Sequence, residues 1–439
     1  MKFFDRTKEI ELLRNIEVQS RENAQLTVIT GRRRIGKTTT VFEAYNDFKF
    51  LYFFVGRKTE KDLCRGFAYE IEDKLNIPMM GEPDSFAKIF EFVLKFATNS
   101  HVTLFIDEFQ DFSKVNPSIF SDIQFLWDRY KRSAKINLIV SGSINSLMHK
   151  LFFDKNEPLY QRMDHLIKLR PFTPSVLKNI MDYYCPGYDN LDLLALYAFT
   201  GGVPKYVELL IDSKSFTRQS MLERIIAEGS PFIGEGQLIL LSEFGKDYGR
   251  YFSILSAIAS GYTRRSRIEN IIGEEVSGYL TRLENDYEII SKKQPLLEQS
   301  STKNVRYEIR DNFMMFWFRF IYKYNYLLEI NNYKYLREIA SDGYDVFSGL
   351  MLERYFREVL AEKEAYSRIG NWWDRKGENE IDIIAIDDFH RKIEFYEVKR
   401  NAKKISLKEL EFKASHFLAI NPSLAPYQKR YLGLSPEDM

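Results

Sequence analysis

Cysteine is scarce in this chain, and neither sign of charge is in surplus. Only two cysteines, Cys64 and Cys185, occur in 439 residues, which excludes a disulfide framework or a cysteine-cluster metal site and is typical of a reducing cytoplasm. The 63 Lys and Arg residues against 62 Asp and Glu residues give a formal net charge of +1. Binding to nucleic acid would therefore have to use local basic patches and not the whole surface.

Long apolar runs are missing as well. No uncharged run reaches the roughly 18 residues of a membrane-spanning helix, and residues 1–6 carry charges where a signal peptide has its apolar region. We therefore expect a soluble cytoplasmic protein with no membrane partner. Aromatic residues are abundant, at 15%, which argues against disorder. The 439 residues are expected to form roughly two to four domains.

Residues 31–38 (GRRRIGKT) have the spacing G-x-x-x-x-G-K-[ST] of a phosphate-binding loop. An apolar, β-branched run precedes them and a proline-free segment follows, which gives the strand–turn–helix context that the motif requires. Gly31 and Gly36 would let backbone N–H groups point at the phosphates of ATP. Lys37 would reach the β- and γ-phosphates, and the Thr38 hydroxyl would bind Mg²⁺. The predicted nucleotide contacts in this stretch are Gly31, Arg34, Ile35, Gly36, Lys37, Thr38 and Thr39.

A second acidic motif follows the apolar run 101–106. This run predicts a buried strand whose carboxyl end carries Asp107 and Glu108, where a parallel sheet binds its ligands. Asp107 is expected to hold Mg²⁺ opposite Thr38, and Glu108 to polarise the water that attacks the γ-phosphate. The alternative is a solvated acidic turn.

A third predicted strand, 136–143, ends in small polar residues. A hydroxyl at such a strand end can sense the γ-phosphate, and Ser141 or Ser143 could do so. Ser143 could equally cap a helix that begins at Ile144, and the spacing does not separate the two roles.

The order of motifs resembles the prokaryotic ATPase family grouped with the STAND NTPases, relatives of the AAA+ origin-recognition initiators. The motifs are the phosphate loop, I-D-E-F-Q (106–110), S-G-S (141–143), P-L-Y-x-R (158–162), L-x-P-F (169–172) and G-G-V-P (201–204). The resemblance implies that the G-G-x-P turn lies in a helical lid near the base and sugar, which would place Pro204 close to the nucleotide.

Two arginines take their expected roles from the same resemblance. Arg6 stands in a segment similar to the box that precedes the loop and lines the adenine pocket, or it belongs to a capping segment of the first helix. Arg162 resembles the family arginine after P-L-Y, which could stabilise the transferring phosphate in cis or across a subunit interface. The alternative for Arg162 is an ion pair with an acid on the lid.

The middle of the chain predicts a winged helix-turn-helix. Helices are expected near 251–259, 266–272 and 275–283, with strands at 289–293 and 306–309. The segment Thr263 to Lys293 holds six basic and six acidic residues, so contact with DNA and packing against protein are equally supported. The basic residues that could reach phosphates are Arg264, Arg265, Arg267, Lys292 and Lys293.

The C-terminal part resembles PD-(D/E)XK nucleases, to which the aromatic run 311–321 would join the winged helix. Strand alternation places Glu397 and Lys399 on one face, and Asp382 on a neighbouring strand could face them. The carboxylates would bind Mg²⁺ or Mn²⁺, Lys399 would steady the water or the scissile phosphate, and Glu353 from a helix could complete the shell. A domain of this geometry could also bind without cutting.

The sequence therefore predicts an α/β protein with a parallel-sheet P-loop NTPase core. The expected ranges are 1–165 for this ATPase core, 166–245 for a helical lid, 246–325 for the winged helix-turn-helix and 326–439 for an α/β restriction-endonuclease-like domain. We expect an AAA+/STAND-like ATPase that uses ATP and Mg²⁺ and acts on DNA through its C-terminal modules. The alternative is an ATP-driven signalling or assembly switch whose C-terminal domain binds without cleavage. A homo-oligomer or a protein partner is possible in both.

Overall fold

The chain folds into two compact units. The computed structural model describes residues 1–78, 81, 83–143, 145–244, 248–298 and 304–439. One unit is Asp5–Arg170, and the other joins Met1–Phe4 to Pro171–Met439. In the described part of the chain, no helix is both long enough and apolar enough to cross a membrane. The finer division of the second unit into lid, winged helix and nuclease-like domain stays a prediction.

The unit 5–170 is built on a parallel sheet of five strands with the order β2-β3-β4-β1-β5. All residues of β3 and β4 are buried, as strands covered on both faces require. This arrangement confirms the predicted α/β class with a parallel sheet. The strands are β1 (Gln25–Thr30), β2 (Leu51–Phe54), β3 (Val102–Asp107), β4 (Ile136–Ser141) and β5 (His165–Lys168).

Helices flank this sheet, and consecutive residues of a central strand enter different cores. In β3, Leu104 packs in one hydrophobic cluster and Phe105 in another, and Leu138 and Ile139 of β4 divide in the same way. The alternation follows from the strand period of two. The helices are α1 (Thr7–Ser20), α2 (Lys37–Ala44), α3 (Glu60–Leu75), α4 (Phe86–Ala97), α5 (Phe112–Val115), α6 (Ile119–Tyr130) and α7 (Asn145–Phe153). Ile144, the expected start of α7, lies outside the described residues.

The second unit begins with helices and a hairpin. The three helices and two strands expected between 251 and 309 are present, and β6 pairs antiparallel with β7 through Ile290 and Ile309. The elements are α8 (Pro174–Tyr184), α9 (Asn190–Thr200), α10 (Pro204–Asp212), α11 (Arg218–Ile225), α12 (Pro231–Phe244), α13 (Tyr248–Ala259), α14 (Arg265–Ile272), α15 (Ser277–Asn285), β6 (Ile290–Lys293) and β7 (Arg306–Ile309).

A long helix and a four-stranded sheet complete this unit. The sheet has the order β11-β10-β9-β8, in which only β10 and β11 are parallel. The expected aromatic helix is α16 (Asn312–Phe316), continued by a π-helical turn at Trp317–Ile321, and it is buried. The remaining elements are α17 (Asn325–Glu329), α18 (Tyr333–Glu362), β8 (Arg368–Trp373), β9 (Glu380–Asp387), β10 (Lys392–Val398), α19 (Leu407–Ile420) and β11 (Gln428–Leu434).

Candidate active site

The loop between β1 and α2 takes the left-handed backbone conformations that its glycines allow. Gly31 has φ 145°, and a Cβ there would lie 2.8 Å from the Leu169 carbonyl oxygen and 3.1 Å from the Ile35 side chain. Gly36 has φ 89° and directly precedes α2. Arg34 is left-handed as well, with φ 68°. Two of the three left-handed positions are thus glycine, the residue that pays least for such angles.

Lys37 turns its ammonium group toward the loop itself. Its Nζ donates hydrogen bonds to the carbonyl oxygens of Gly31 at 2.9 Å and Arg32 at 3.2 Å. The side chain is buried, and this burial lowers the pKa of Lys37 from 10.5 to about 8, although Glu108 and Asp107 act in the opposite direction. The loop therefore surrounds a cation whose charged form lacks full solvation.

Arg6 braces this loop from the start of the unit. Its guanidinium donates to the carbonyl oxygens of Arg170 at 2.6 Å and Ile35 at 3.4 Å, and the side chain is buried. Arg6 directly precedes α1 without making a side-chain cap. Of the two expected roles, the capping segment is observed, since Arg6 is the N-cap residue of α1 and its carbonyl accepts the Ile10 N–H at 2.8 Å. Adenine contact stays a prediction.

The Asp107 carboxylate accepts hydrogen bonds from the hydroxyl groups of three side chains, which lie on α2, β2 and β4. Its Oδ2 accepts the Thr38 hydroxyl at 2.6 Å and the Tyr52 hydroxyl at 3.3 Å, and its Oδ1 accepts the Ser141 hydroxyl. The strand β4 lies between β1 and β3, so Ser141 at its end is placed between the loop and the acid. Ser141 thus contacts Asp107, and Tyr52 is a member that no sequence motif had indicated.

Glu108 is held by two side-chain donors. Its Oε2 accepts hydrogen bonds from Gln110 Nε2 at 2.6 Å and from the Ser143 hydroxyl at 2.7 Å. Glu108 has a left-handed backbone, with φ 54°. A Cβ at Gly142 would overlap the Gln110 side-chain oxygen, so the glycine of S-G-S leaves room for this amide. Ser143 therefore contacts the expected base.

Arg162 is engaged within the unit 5–170. Its Nε and Nη2 form an ion pair with Asp128 of α6 at 2.9–3.2 Å, and its Nη1 donates to the carbonyl oxygens of Pro158 at 2.7 Å and Tyr160 at 3.2 Å. The structure thus shows pairing with an acid, the alternative to a transition-state role, and the acid lies on the core and not on a lid.

Pro204 opens α10 in the second unit, after the turn Gly201–Gly202, whose residues have φ 58° and 70°. The Gly202 carbonyl accepts the Phe172 N–H at 2.7 Å, and a Cβ on Gly202 would overlap Phe172. The turn thus has a packing reason for glycine, and contact of Pro204 with nucleotide stays a prediction.

A second cluster of polar side chains lies in the C-terminal sheet. Lys399 Nζ is 3.3 Å from Asp382 Oδ2 and 3.4 Å from Glu397 Oε1. The sequence pattern predicted that these side chains converge. It placed Lys399 inside the strand, whereas Lys399 directly follows the last residue of β10. Lys413 of α19, which no motif had indicated, approaches Glu397 Oε1 at 3.9 Å.

The same acids are fixed by backbone groups. The Val398 N–H donates to Asp382 Oδ2 at 2.8 Å, and the Ser406 N–H donates to Glu397 Oε2 at 2.9 Å. Burial and the nearby Asp382 charge raise the pKa of Glu353 on α18 to about 8. Among the described residues, no three His, Cys, Asp or Glu side chains are arranged to hold a metal ion, so the expected set of Asp382, Glu397 and Glu353 is not assembled as a metal cage.

Comparisons with known proteins agree with the loop geometry. Residues 3–210 match the family described as an ATPase domain predominantly from Archaea, and residues 317–411 match a family of archaeal and bacterial proteins of unknown function. An uncharacterized protein of Methanocaldococcus jannaschii is 29% identical over 419 residues, which cover 92% of this chain and 90% of that protein.

Two solved structures are also similar to this chain, and the first of them supports the fold. The Walker-type ATPase paby2304 of Pyrococcus abyssi aligns with a TM-score of 0.55 at 20% identity, over 71% of this chain and 95% of that one. The ORC2 protein of Aeropyrum pernix, solved as ADPNP-ADP complexes, has a TM-score of 0.48 at 12% identity, over 78% of this chain and 96% of that one. The glycine-opened loop, the acidic strand end and the family match agree, and residues 3–210 are similar to the ATPase domains found predominantly in Archaea.

Proposed function

We propose that this chain binds and hydrolyses ATP with Mg²⁺ at the loop 31–38. The observation that carries the proposal is the 2.6 Å hydrogen bond between the Thr38 hydroxyl and Asp107 Oδ2. It joins the first residues of the phosphate loop helix to the end of β3, and Glu108 follows directly. The residues that would bind the nucleotide and the proposed general base thus lie together at the carboxyl ends of the strands, where parallel sheets bind their ligands.

Each side chain has a distinct role in this proposal. The backbone N–H groups between Gly31 and Thr38 bind phosphate oxygens, and Lys37 exchanges its bonds to the loop carbonyls for the β- and γ-phosphates. Glu108 accepts a proton from the attacking water. Ser141 orients Asp107, and Gln110 with Ser143 orients Glu108.

The donor set fits Mg²⁺, because hydroxyl and carboxylate oxygens are the ligands this ion takes. The side chains of Thr38 and Asp107 are the residues that would hold it, directly or through water. When bound, the ion would neutralise charge that develops on the phosphates. The protein's own part is to keep the two oxygens adjacent, with Ser141 and Tyr52 fixing the carboxylate from its other sides.

The test compares ATP binding and turnover in four proteins: wild type, Lys37→Ala, Glu108→Gln and the surface control Glu22→Gln. Lys37→Ala should abolish saturable binding of labelled ATP in the presence of magnesium. Glu108→Gln should bind ATP as wild type does and turn over at least about a hundredfold more slowly, since a positioned general base contributes 10²–10⁴ in rate. Unchanged binding in Lys37→Ala, or unchanged turnover in Glu108→Gln, would contradict the proposal.

A second function is favoured by the convergence of Asp382, Glu397 and Lys399. We propose that this cluster binds and cleaves the phosphodiester backbone of DNA. The helices of 246–325 would act as a winged helix that presents the substrate. Two carboxylates converge with the lysine, one fewer than the three acids expected to bind the metal ion. The experiment must therefore test whether cleavage depends on a metal ion.

The experiment incubates the full chain with linear duplex and single-stranded DNA and either Mg²⁺ or Mn²⁺, with and without ATP. Metal-dependent cleavage that is lost in Asp382→Asn and in Lys399→Ala, but kept in the surface control Lys363→Ala, would support a nuclease. Absence of cleavage by the wild type under all of these conditions would leave the non-cleaving switch as the function of this module.

A further inference from the structure

A ridge of cations lies next to the Asp382–Lys399 cluster. It is defined by Arg264 and Arg267 at the start of α14 and by Arg375 and Lys376 in the loop that joins β8 to β9. We propose that this ridge binds the phosphate backbone of duplex DNA. The proposal deepens the DNA function proposed above and rests on it.

The two parts of the ridge are neighbours in space. A Cβ placed on Gly377 would lie 3.4 Å from Arg264 Nη2, so the guanidinium of Arg264 lies over the loop that carries Arg375 and Lys376. Arg267 follows Arg264 by three positions, a spacing that puts both on the same face of a helix start. Arg267, Arg375 and Lys376 are all exposed.

The ridge cations lack carboxylate partners. None of the four has an ion-pair partner within the described ranges, although the cations beside them do. Arg265 pairs with Glu269 at 2.9 Å, and Arg306 pairs with Glu380 at 2.7 Å. Unpaired cations on two adjacent elements are available for phosphates and give a local basic surplus that the near-neutral net charge hides.

The acids of the loop do not cancel this surplus. Asp374 turns inward, where its carboxylate accepts the N–H groups of Gly377 at 2.5 Å, Glu378 at 3.0 Å and Asn379 at 3.1 Å. These bonds hold the loop in shape and use the carboxylate as an acceptor. Glu378 is the remaining exposed acid of the loop, against the two loop cations Arg375 and Lys376.

The ridge also leads toward the candidate cluster. The loop ends at Glu380, the first residue of β9, and Asp382 lies two residues further along that strand. At about 3.3 Å per residue this is a distance of about 7 Å. Because each DNA strand carries one phosphate per about 3.4 Å of helix axis, a backbone held on the ridge passes the site of Asp382 and Lys399 within a few nucleotides.

The hairpin β6–β7 is less suited to this task than expected. Lys293 is 3.7 Å from Glu308 and is part of an ion-pair group that includes Arg354 of α18. Arg306 lies over the Trp373 ring at 4.3 Å as well as pairing with Glu380. Lys293 and Arg306 are thus engaged with Glu308 and with the C-terminal sheet. The exposed Lys292 is the hairpin cation that has no ion-pair partner among the described residues.

The test measures binding of a fluorescent DNA duplex to the full chain by anisotropy over a salt series, with EDTA present so that no cleavage intervenes. Arg375→Ala/Lys376→Ala should weaken binding and reduce the slope of log Kd against log salt by about 2, because each released phosphate contact contributes about 0.9. Arg264→Ala/Arg267→Ala tests the second element independently. The matched control is Arg391→Ala/Lys392→Ala, an exposed pair at the start of β10, which should leave affinity and slope unchanged.

Three results would overturn the inference: no salt-dependent DNA binding by the wild type, ridge variants with the wild-type slope, or an equal loss in the control. Tighter binding of an RNA duplex than of the DNA duplex would overturn the assignment to DNA. The proposed cleavage is judged separately with Asp382→Asn. If that variant and the wild type bind alike and neither cuts, the ridge stands and the nuclease proposal fails.

Discussion

The side-chain amide of Gln110 donates a hydrogen bond of 2.6 Å to Oε2 of Glu108. The same oxygen accepts the Ser143 hydroxyl at 2.7 Å, so donors that follow two different strands aim one carboxylate. Misplacement of a catalytic group by about 1 Å can cost up to about a hundredfold in rate. We predict that Gln110→Ala lowers kcat for ATP hydrolysis about tenfold and leaves ATP affinity unchanged, as measured by steady-state turnover and by titration with labelled ATP.

The control for this prediction is Gln19→Ala, which removes an exposed amide from α1 and should change neither quantity. A turnover equal to or faster than that of the wild type would contradict the prediction. In that event the Gln110 amide would hold Glu108 away from its catalytic position, and Ser143→Ala should then also leave turnover unchanged or raise it.

The second prediction concerns the pH dependence of ATP binding. Burial lowers the pKa of Lys37 from 10.5 to about 8, and phosphate oxygens beside the ammonium would raise that pKa in the complex. Above pH 8, Lys37 must therefore take up a proton when ATP binds. The ATP affinity should fall by up to about tenfold per pH unit from there upward. Anisotropy titrations between pH 7 and pH 9.5 with a fluorescent ATP analogue measure this.

The free protein should show the opposite trend in stability. The unfolded lysine keeps its proton up to about pH 10.5, whereas the folded one loses it near pH 8. The unfolded state thus binds more protons between these values, and the contribution of Lys37 to the free energy of unfolding rises with pH across this window. Lys37→Met should remove that rise. A pH-independent ATP affinity in the wild type would contradict both statements.

Local patterns predicted the elements that place the site, because they depend on short-range spacing. The strand, loop and helix around Gly31 and Gly36 follow from apolar β-branched residues and two glycines, and the alternation around Glu397 correctly brought it to Asp382 and Lys399. These predictions needed only the strand period and the reach of a side chain.

Contacts between distant segments were beyond such reasoning. Tyr52 reaches Asp107 from an edge strand 55 residues away, and Lys413 reaches Glu397 from α19. Neither residue stands in a motif, and a tyrosine in a strand or a lysine on a helix is ordinary without the fold. The sequence could not decide the role of Arg162 for the same reason, since its partner Asp128 is 34 residues away.

The third prediction is that Arg162 acts on stability. Its guanidinium spans the Asp128 carboxylate and the carbonyls of Pro158 and Tyr160, and hydrogen bonds from charged groups are worth about 1.5–3 kcal/mol when fully formed. Because Asp128 is half exposed, we expect Arg162→Ala to cost about 1–2 kcal/mol in the free energy of unfolding, with kcat within about twofold of wild type. Urea unfolding and turnover measure the two effects.

The control Arg129→Ala, an exposed neighbour, should change neither quantity. A large loss of kcat at unchanged stability would instead indicate a transition-state arginine.

The fourth prediction concerns a buried polar network at the opposite end of the sheet from the loop. His101, which directly precedes β3, contacts the Ser20 hydroxyl at 2.8 Å and approaches Glu17 Oε1 at 3.5 Å, and burial lowers the pKa of His101 below 6.5 in spite of Glu17. The unfolded histidine therefore takes up a proton at a higher pH than the folded one, so stability is full above pH 6.5 and falls as the pH drops through the folded pKa. We expect the melting temperature of the wild type to fall between pH 7.5 and pH 5.5. His101→Gln should reduce that fall by a few degrees. The control His149→Gln, at an exposed position, should leave the fall unchanged. An equal fall in wild type and His101→Gln would mean that other groups carry the acid sensitivity.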